Sequence, residues 1–233
     1  MAVRAVALGL SVALLAGCIA PGAKQFPGRS SDSTAAVHEF SAEATRYEVT
    51  TEDSGIRLKV YREGPLARLG HNHVITARVQ GVLYRDPRTG EPGFRLEIPL
   101  DSVEVDPADA RQEEGGDFPG EIPAPARQGT RDNMLGPGLL DAGRWPVIRI
   151  ESIRVSGTGP RTRVMALATL RGTSRPLEFP ATVSDGPSGL SVTADFQVRQ
   201  TDLGLVPMSV LGGGLRVRDA VDVEVRLFAR SVP

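Results

Sequence analysis

The sequence predicts an all-β domain with a short helical insertion. Three observations carry this. Apolar residues recur at every second position in run after run, Gly, Pro and Asp punctuate the runs at short spacing, and only one stretch lacks the alternation. Period two puts one face of a strand in a core and the other in water. The runs amount to about eight or nine strands, which is the pattern of a barrel or a sandwich.

The first run begins at Tyr47 and Val49 and resumes at Ile56, Leu58 and Val60 after an Asp53-Ser54-Gly55 turn. Gly64-Pro65 breaks the chain before a long run from His73 to Tyr84, and Leu96, Ile98 and Leu100 alternate after Pro92-Gly93. Ile148 and Ile150 follow Trp145-Pro146; the apolar face then shifts to Ile153 and Val155, which predicts a β-bulge. Val164, Ala166, Ala168 and Leu170 form one stripe, and Leu177, Phe179, Ala181 and Val183 form the next. Between them the phrase Leu170-Arg-Gly-Thr-Ser-Arg-Pro176 reads as a hairpin reversing at Gly172-Thr173. Leu190, Val192, Ala194, Phe196 and Val198 make the longest stripe, and Val221, Val223, Val225 and Leu227 the last, with Gly212-Gly-Gly214 as a turn between runs.

Residues 106–143 are the exception, rich in Pro, Gly and charge. Asp106-Pro107 can open a helix, Asp as N-cap and Pro at the first helical position. A second helix fits Pro125 to Leu135 and stops at Gly136-Pro137. An insertion of this length caps the mouth of a barrel or serves a site; the cap is the preferred reading.

The start of the chain predicts export. Arg4 precedes an apolar run, Ala5 to Ala16, too short for a comfortable membrane span. It ends in Leu15-Ala16-Gly17-Cys18, a lipobox pattern, which makes residues 1–17 a lipoprotein signal peptide and Cys18 the lipidated residue. Cys18 is the one cysteine of the chain, so no internal disulfide competes for it. Ile19, rather than Asp, follows it and favours the outer membrane. Residues 18–44, with Pro21, Gly22, Pro27, Gly28 and Ser30-Ser-Asp-Ser-Thr34, read as a flexible tether in which His38 is solvated. The domain proper spans 45–231. With a net charge of −1 and both signs scattered, nothing points to nucleic acid.

Chemistry-bearing signals are few. No Gly-x-Ser-x-Gly elbow and no phosphate-cradling loop occurs, so a non-enzymatic role is expected. The inner stripes are built of small residues, Ala77, Val79, Gly81, Ala166, Ala168, Ala181 and Ala194, with Phe196 beside the last. They fit a wall around a space, or equally a place where two sides of a barrel close on each other. Each buried CH₂ of an apolar ligand would contribute about 0.8 kcal/mol. His71 and His73, in Gly70-His-Asn-His73, share the face of Ile75 and Ala77 and therefore turn inward, shielded near the barrel mouth. Backbone groups of the turn, a polar headgroup or a metal are the possible partners, in that order; Asp132, Met134, Asp202 and Met208 are conceivable further ligands. Arg131 and Arg175 fit a surface role before an anionic headgroup, Asp132 and Asp202 fit turns or caps, and Trp145 fits the core.

Taken in order, Thr130-Arg-Asp-Asn-Met-Leu135, Leu140-Asp-Ala-Gly-Arg-Trp-Pro146, Leu170-Arg-Gly-Thr-Ser-Arg-Pro176 and Gln200-Thr-Asp-Leu-Gly204 resemble the YceI-like proteins, and the resemblance runs from about Tyr47 to Ala229. It implies a lipocalin-like antiparallel up-and-down barrel in the bacterial periplasm, holding a long polyisoprenoid or quinone-type lipid. Gly70-His-Asn-His73 and the extended 106–129 segment depart from the family pattern. Three functions follow as expectations: a lipid-anchored envelope carrier of an apolar isoprenoid- or quinone-like lipid, a metal-handling or redox-linked protein using His71 and His73, and a structural lipoprotein with a filled barrel.

Overall fold

Eight strands follow one another and pair neighbour to neighbour until the last meets the first. They are β1 (Thr45–Val49 and Gly55–Val60), β2 (His73–Arg78 and Gln80–Arg85), β3 (Pro92–Pro99), β4 (Val147–Ser156), β5 (Arg161–Leu170), β6 (Thr173–Gly186), β7 (Gly189–Arg199) and β8 (Ala220–Ser231). The computed structural model describes residues 37–157 and 160–232. Closure comes from β8, whose one edge pairs with both pieces of β1, Tyr47↔Ser231 to Val49↔Ala229 and Gly55↔Arg226 to Lys59↔Asp222. The expected up-and-down antiparallel barrel is therefore the architecture. The barrel ladders and the main buried cluster lie between Thr45 and Ser231, so the barrel is complete without the segment that precedes it.

Closure requires kinks, and two buried serines repair them. At the break in β1 the Ser54 hydroxyl accepts the Phe228 N–H at 2.9 Å and donates to the Phe228 carbonyl at 3.3 Å. At the expected bulge in β4, where the register shifts between Ser152 and Arg154, Ser152 does the same for Phe94, at 2.9 and 3.3 Å. Each hydroxyl gives the facing backbone N–H a partner where the ladder is interrupted, and at the first break the Phe228 carbonyl also accepts from Thr50 N–H; an unpaired buried group would cost about 1–3 kcal/mol.

One seam is looser. The β6–β7 ladder runs only from Gly186↔Gly189 to Thr182↔Thr193, although both strands continue. Val183 N–H bonds back to Pro160 on the β5 side, so the even-numbered residues of β6 present their nitrogens to β7. Pro176 and Pro180 sit at two of those positions and have no N–H to give. Phe179 and Phe196 stack across the gap instead, ring centroids 4.6 Å apart.

Long connections gather at one end. Residues 61–72, 100–146 and 200–219 lie there, together with the tight β5–β6 turn. Its turn residues are Arg171 and Gly172, both with positive φ, and Thr173 already pairs with Leu170 rather than turning. The insertion forms two helices, α1 (Ala108–Glu114) and α2 (Ala124–Leu135), the second close to the expected bounds. Asp106 is not the cap of α1. Pro107 holds that position, and Asp106, at φ 52°, turns its carboxylate elsewhere. A small sheet of Ser209–Val210, Leu215–Val217 and Arg62–Glu63, absent from the alternation reading because its strands are two or three residues long, ties two of the long connections together. Among the described residues no helix is long and apolar enough to cross a membrane.

Residues 37–44, expected as the end of a solvated tether, dock on the barrel. His38 N–H bonds the Ser152 carbonyl, His38 packs on Phe40, and Phe40 stacks on Tyr84 at 4.3 Å over Gly93, where any side chain would collide with the ring. Cys18 and the rest of the tether and signal segment lie outside the described residues.

Gly81 also has a backbone role. Its φ is 138°, and a Cβ there would stand 2.2 Å from the Arg95 carbonyl oxygen on β3. Gly81→Ala is expected to destabilise the fold by at least about 2 kcal/mol, lowering Tm by about 4–8 °C for a domain of this size; thermal unfolding by circular dichroism checks it.

Candidate functional site

The mouth half of the barrel is hollow. A cavity of about 580 Å³ is walled by Ile56, Leu58, Ile75, Ala77, Ile98, Ile148, Ile150, Ala168, Leu170, Leu177, Phe196 and Val223. Its roof is α2 and the turn after it, through Met134, Leu139 and Leu140, and the 200–210 connection, through Leu203, Leu205 and Met208. Volume and lining match pockets that hold small apolar molecules, typically about 300–1,000 Å³. Arg131 and Arg127 fasten α2 over the opening by donating to the carbonyls of Asp101, Val103 and Asp106. This is the cap expected of the insertion, and it gives Arg131 a structural task in place of a free surface position.

The expected wall residues divide between the two halves. Ala77, Ala168, Phe196, His71 and His73 line the cavity. Val79, Ala166, Ala181 and Ala194 are buried but belong to the filled half, in one cluster with Val49, Leu83, Phe94, Leu190 and the half-buried Phe179. None of these four residues is part of the cavity wall, and Gly81 serves the close approach of β3. The hollow half is walled mostly by Ile and Leu. Small side chains therefore occur in both halves: Ala77 and Ala168 line the cavity, whereas Val79, Ala166, Ala181 and Ala194 do not.

At the rim, the side chains that carry polar chemistry converge on Asp106. Its carboxylate is fully buried, accepts from Val74 N–H at 2.9 Å and from Arg111 Nη1 at 2.7 Å, and lies 2.7 Å from His73 Nδ1. Arg111 is buried too, and spends its remaining donors on the carbonyls of Asn72, Pro119 and Gly120. Burial pushes the Asp106 carboxyl up, but the hydrogen bonds from His73 and Val74 and the charges of His73 and Arg111 outweigh it, and its pKa falls below the usual 3.8. An ionised carboxylate only accepts, so the proton of this bond belongs to Nδ1, which leaves Nε2 as the free position of a ring that lines the cavity.

His73 is thus inward and mostly shielded, with 17% of its side chain exposed. His71 is not shielded. It precedes the strand, sits exposed on the rim, and its ring centroid is 6.4 Å from that of His73. The partner of His73 is a carboxylate from the insertion, not a turn carbonyl; the adjacent Gly, His and Asn gave no signal for it, although Asp106 and Arg111 lie inside the segment marked as atypical. Among the described residues no group of three or more His, Cys, Asp or Glu is placed to hold a metal. Asp132 bonds Gln128 along α2, Asp202 lies in a turn, and Met134 and Met208 contribute apolar surface to the cavity.

The four sequence phrases meet at this end. The Trp145 ring lies over Gly172, where a Cβ would come within 2.5 Å of it, and Arg171 donates to the Leu139 carbonyl. Trp145 is therefore a clamp on the hairpin turn, half-buried rather than in the core. A Cβ at Gly204 would stand 3.5 Å from Nε of the exposed Arg175, which brings the fourth phrase beside the third. Met134 and Asn133 of the first phrase face the cavity. A family model described as the YceI-like domain matches residues 47–229. The chain belongs to the YceI-like family. Among solved structures it is similar to Burkholderia cenocepacia BcnA, at 13% identity and a TM-score of 0.55, covering 77% of this chain and 98% of that one. It is also similar to a Campylobacter jejuni YCEI protein, at 11% identity and a TM-score of 0.46, covering 66% of this chain and 81% of the other. No curated protein matches. The YceI-like match covers both helices and all but the outermost residues of β1 and β8, so the mouth described above lies within it.

Two outcomes are expected. Ala194→Phe overpacks the filled half and costs about 1–3 kcal/mol, whereas Ala168→Phe places its ring in the cavity and costs clearly less; paired denaturant titrations compare them. Asp106→Asn leaves Arg111 buried without its countercharge and costs about 3–5 kcal/mol at neutral pH. Because the folded pKa of Asp106 is depressed, its contribution is present above about pH 4 and is lost as pH falls through the lower folded value, so the gap between parent and variant narrows in acid.

Proposed function

We propose that this protein binds and carries an apolar lipid of isoprenoid or quinone type, its chain in the mouth half of the barrel and its polar head against His73. The cavity carries this reading: it is closed at one end, apolar over its walls and roof, and has one oriented imidazole where a headgroup would stop. With Nδ1 committed to Asp106, Nε2 accepts from a hydroxyl headgroup, or donates to a carbonyl once protonated. No side-chain set resembling a nucleophile and base pair lies in the cavity lining, and a binding role suits the YceI-like family. The lipobox at Cys18 completes the reading: the protein works on the periplasmic side of the envelope, held by a lipid anchor with the outer membrane favoured.

The test is mass spectrometry of organic extracts and of metals from one preparation of tag-free protein isolated from its native envelope. A single class of prenyl-chain lipid near one per chain, reduced in His73→Gln without loss of fold, is the expected result. Stoichiometric metal that disappears with His71→Gln and His73→Gln would replace this reading with the metal-handling one. Protein that neither carries lipid nor takes up an added prenyl alcohol would overturn it.

A further inference from the structure

The loose β6–β7 seam is bounded at both ends. Toward the filled half it closes at the Thr182↔Thr193 pair, and toward the mouth at Gly204, which the 200–219 connection brings beside Arg175. Each strand is held along its other edge over the same stretch. The β5–β6 ladder continues to Thr173↔Leu170 and the β7–β8 ladder to Arg199↔Ala220. The gap therefore belongs to this pair of strands and is not a fraying of the sheet. Pro176 and Pro180 keep it open, because without those N–H groups β6 cannot zip onto β7.

Side chains at the seam connect the inside of the barrel with the outside. Leu177, Phe196 and Val198 line the cavity. Phe179 does not, yet it is only half-buried, and it borders a depression on the outer wall with Arg163, Glu178 and Pro180. The Phe179 and Phe196 rings stack at 4.6 Å, so one apolar surface runs from the cavity through the wall. On the adjoining β5, by contrast, the inward side chains Val164, Ala166, Ala168 and Leu170 are all buried. Parting the two rings breaks no ladder bond, whereas lifting α2 breaks the bonds of Arg127 and Arg131 to three carbonyls.

Position gives the seam its occupant. β6 is four strands from β2 whichever way the eight are counted, so the seam lies across the barrel from His73. A chain whose head stops at His73 and which crosses the cavity meets Phe196. We propose that the β6–β7 seam is a side opening through which the tail of a long apolar chain leaves the cavity, passing between Phe179 and Phe196. The volume of the cavity then sets no upper limit on the ligand, and the class it takes is long-chain. This rests on the lipid-carrier reading and adds chain length to it.

The test uses tag-free protein freed of bound lipid, with farnesol and solanesol as probes that share headgroup and repeat but differ in length, and solanesol carrying a nitroxide at its tail. Both alcohols should bind the parent, and the nitroxide should broaden the amide signals of Glu178 and Gln197, exposed beside the seam, more than any others. Pro176→Val with Pro180→Val restores two N–H groups at exposed positions and lets the ladder close. It should weaken solanesol binding about tenfold, which the loss of as few as two CH₂ groups to water suffices to produce, and leave farnesol binding as in the parent.

Strongest broadening at Val206 and Leu211 on the rim, or at Leu190 by the closed end, overturns the side opening, whether or not the valine variant folds. So does unchanged solanesol binding in a variant whose two new amides are protected from hydrogen exchange. A parent that binds farnesol and rejects solanesol also overturns it, and leaves the carrier reading standing for short lipids. A parent that binds neither alcohol removes the carrier reading, and the role of the seam with it.

Discussion

Pairing of one β8 edge with both pieces of β1 is the constraint on which the rest depends. It turns a meander of neighbouring strands into a tube with an inside, and it fixes the circumference at eight strands, a size at which side chains can just fill the interior or leave room for one slender molecule. Closure also imposes the sharp bends, and with them the need for Ser54 and Ser152 as local substitutes for ladder bonds. Once the tube is closed, its two ends differ. Short turns close one end over Phe94, Leu83 and Leu190, while long connections spread around the other and leave it hollow.

The hollow end is also where polar chemistry enters. Asp106 is costly to bury, and it is kept ionised by His73, the Val74 N–H and Arg111 together. The consequence for function is orientation: a ring free to rotate would present either nitrogen, whereas this one presents Nε2. Arg111 in turn organises the insertion by holding the carbonyls of residues on both of its sides. The insertion, the cap and the orientation of His73 are thus one connected network through Asp106 rather than separate features.

Most of the strand order was legible because alternation is a local signal: period two survives in every run from Tyr47 to Leu227, and even the bulge at Ser152 announced itself as a shift of face. The cavity was legible only as a choice between space and close packing. Residue size alone cannot decide it, since a small side chain fits a packed core, as at Ala194, as readily as a cavity wall, as at Ala168. The docking of Phe40 on Tyr84, the clamp of Trp145 on Gly172 and the carboxylate behind His73 are contacts between segments distant in sequence, with no periodicity to reveal them. His71 and His73 looked equivalent by spacing. They differ because the strand begins at His73, leaving His71 on the rim.

The central claim is that the barrel is hollow at one end, filled at the other, and takes an apolar chain into the hollow half. Methyl-resolved NMR during titration with a prenyl alcohol tests it most directly. Ile75, Ile148, Ile150 and Leu170 should shift or show contacts to the added chain, while Val49, Leu83 and Leu190 stay unchanged. Shifts confined to the filled half, or none at saturating alcohol, would contradict the account.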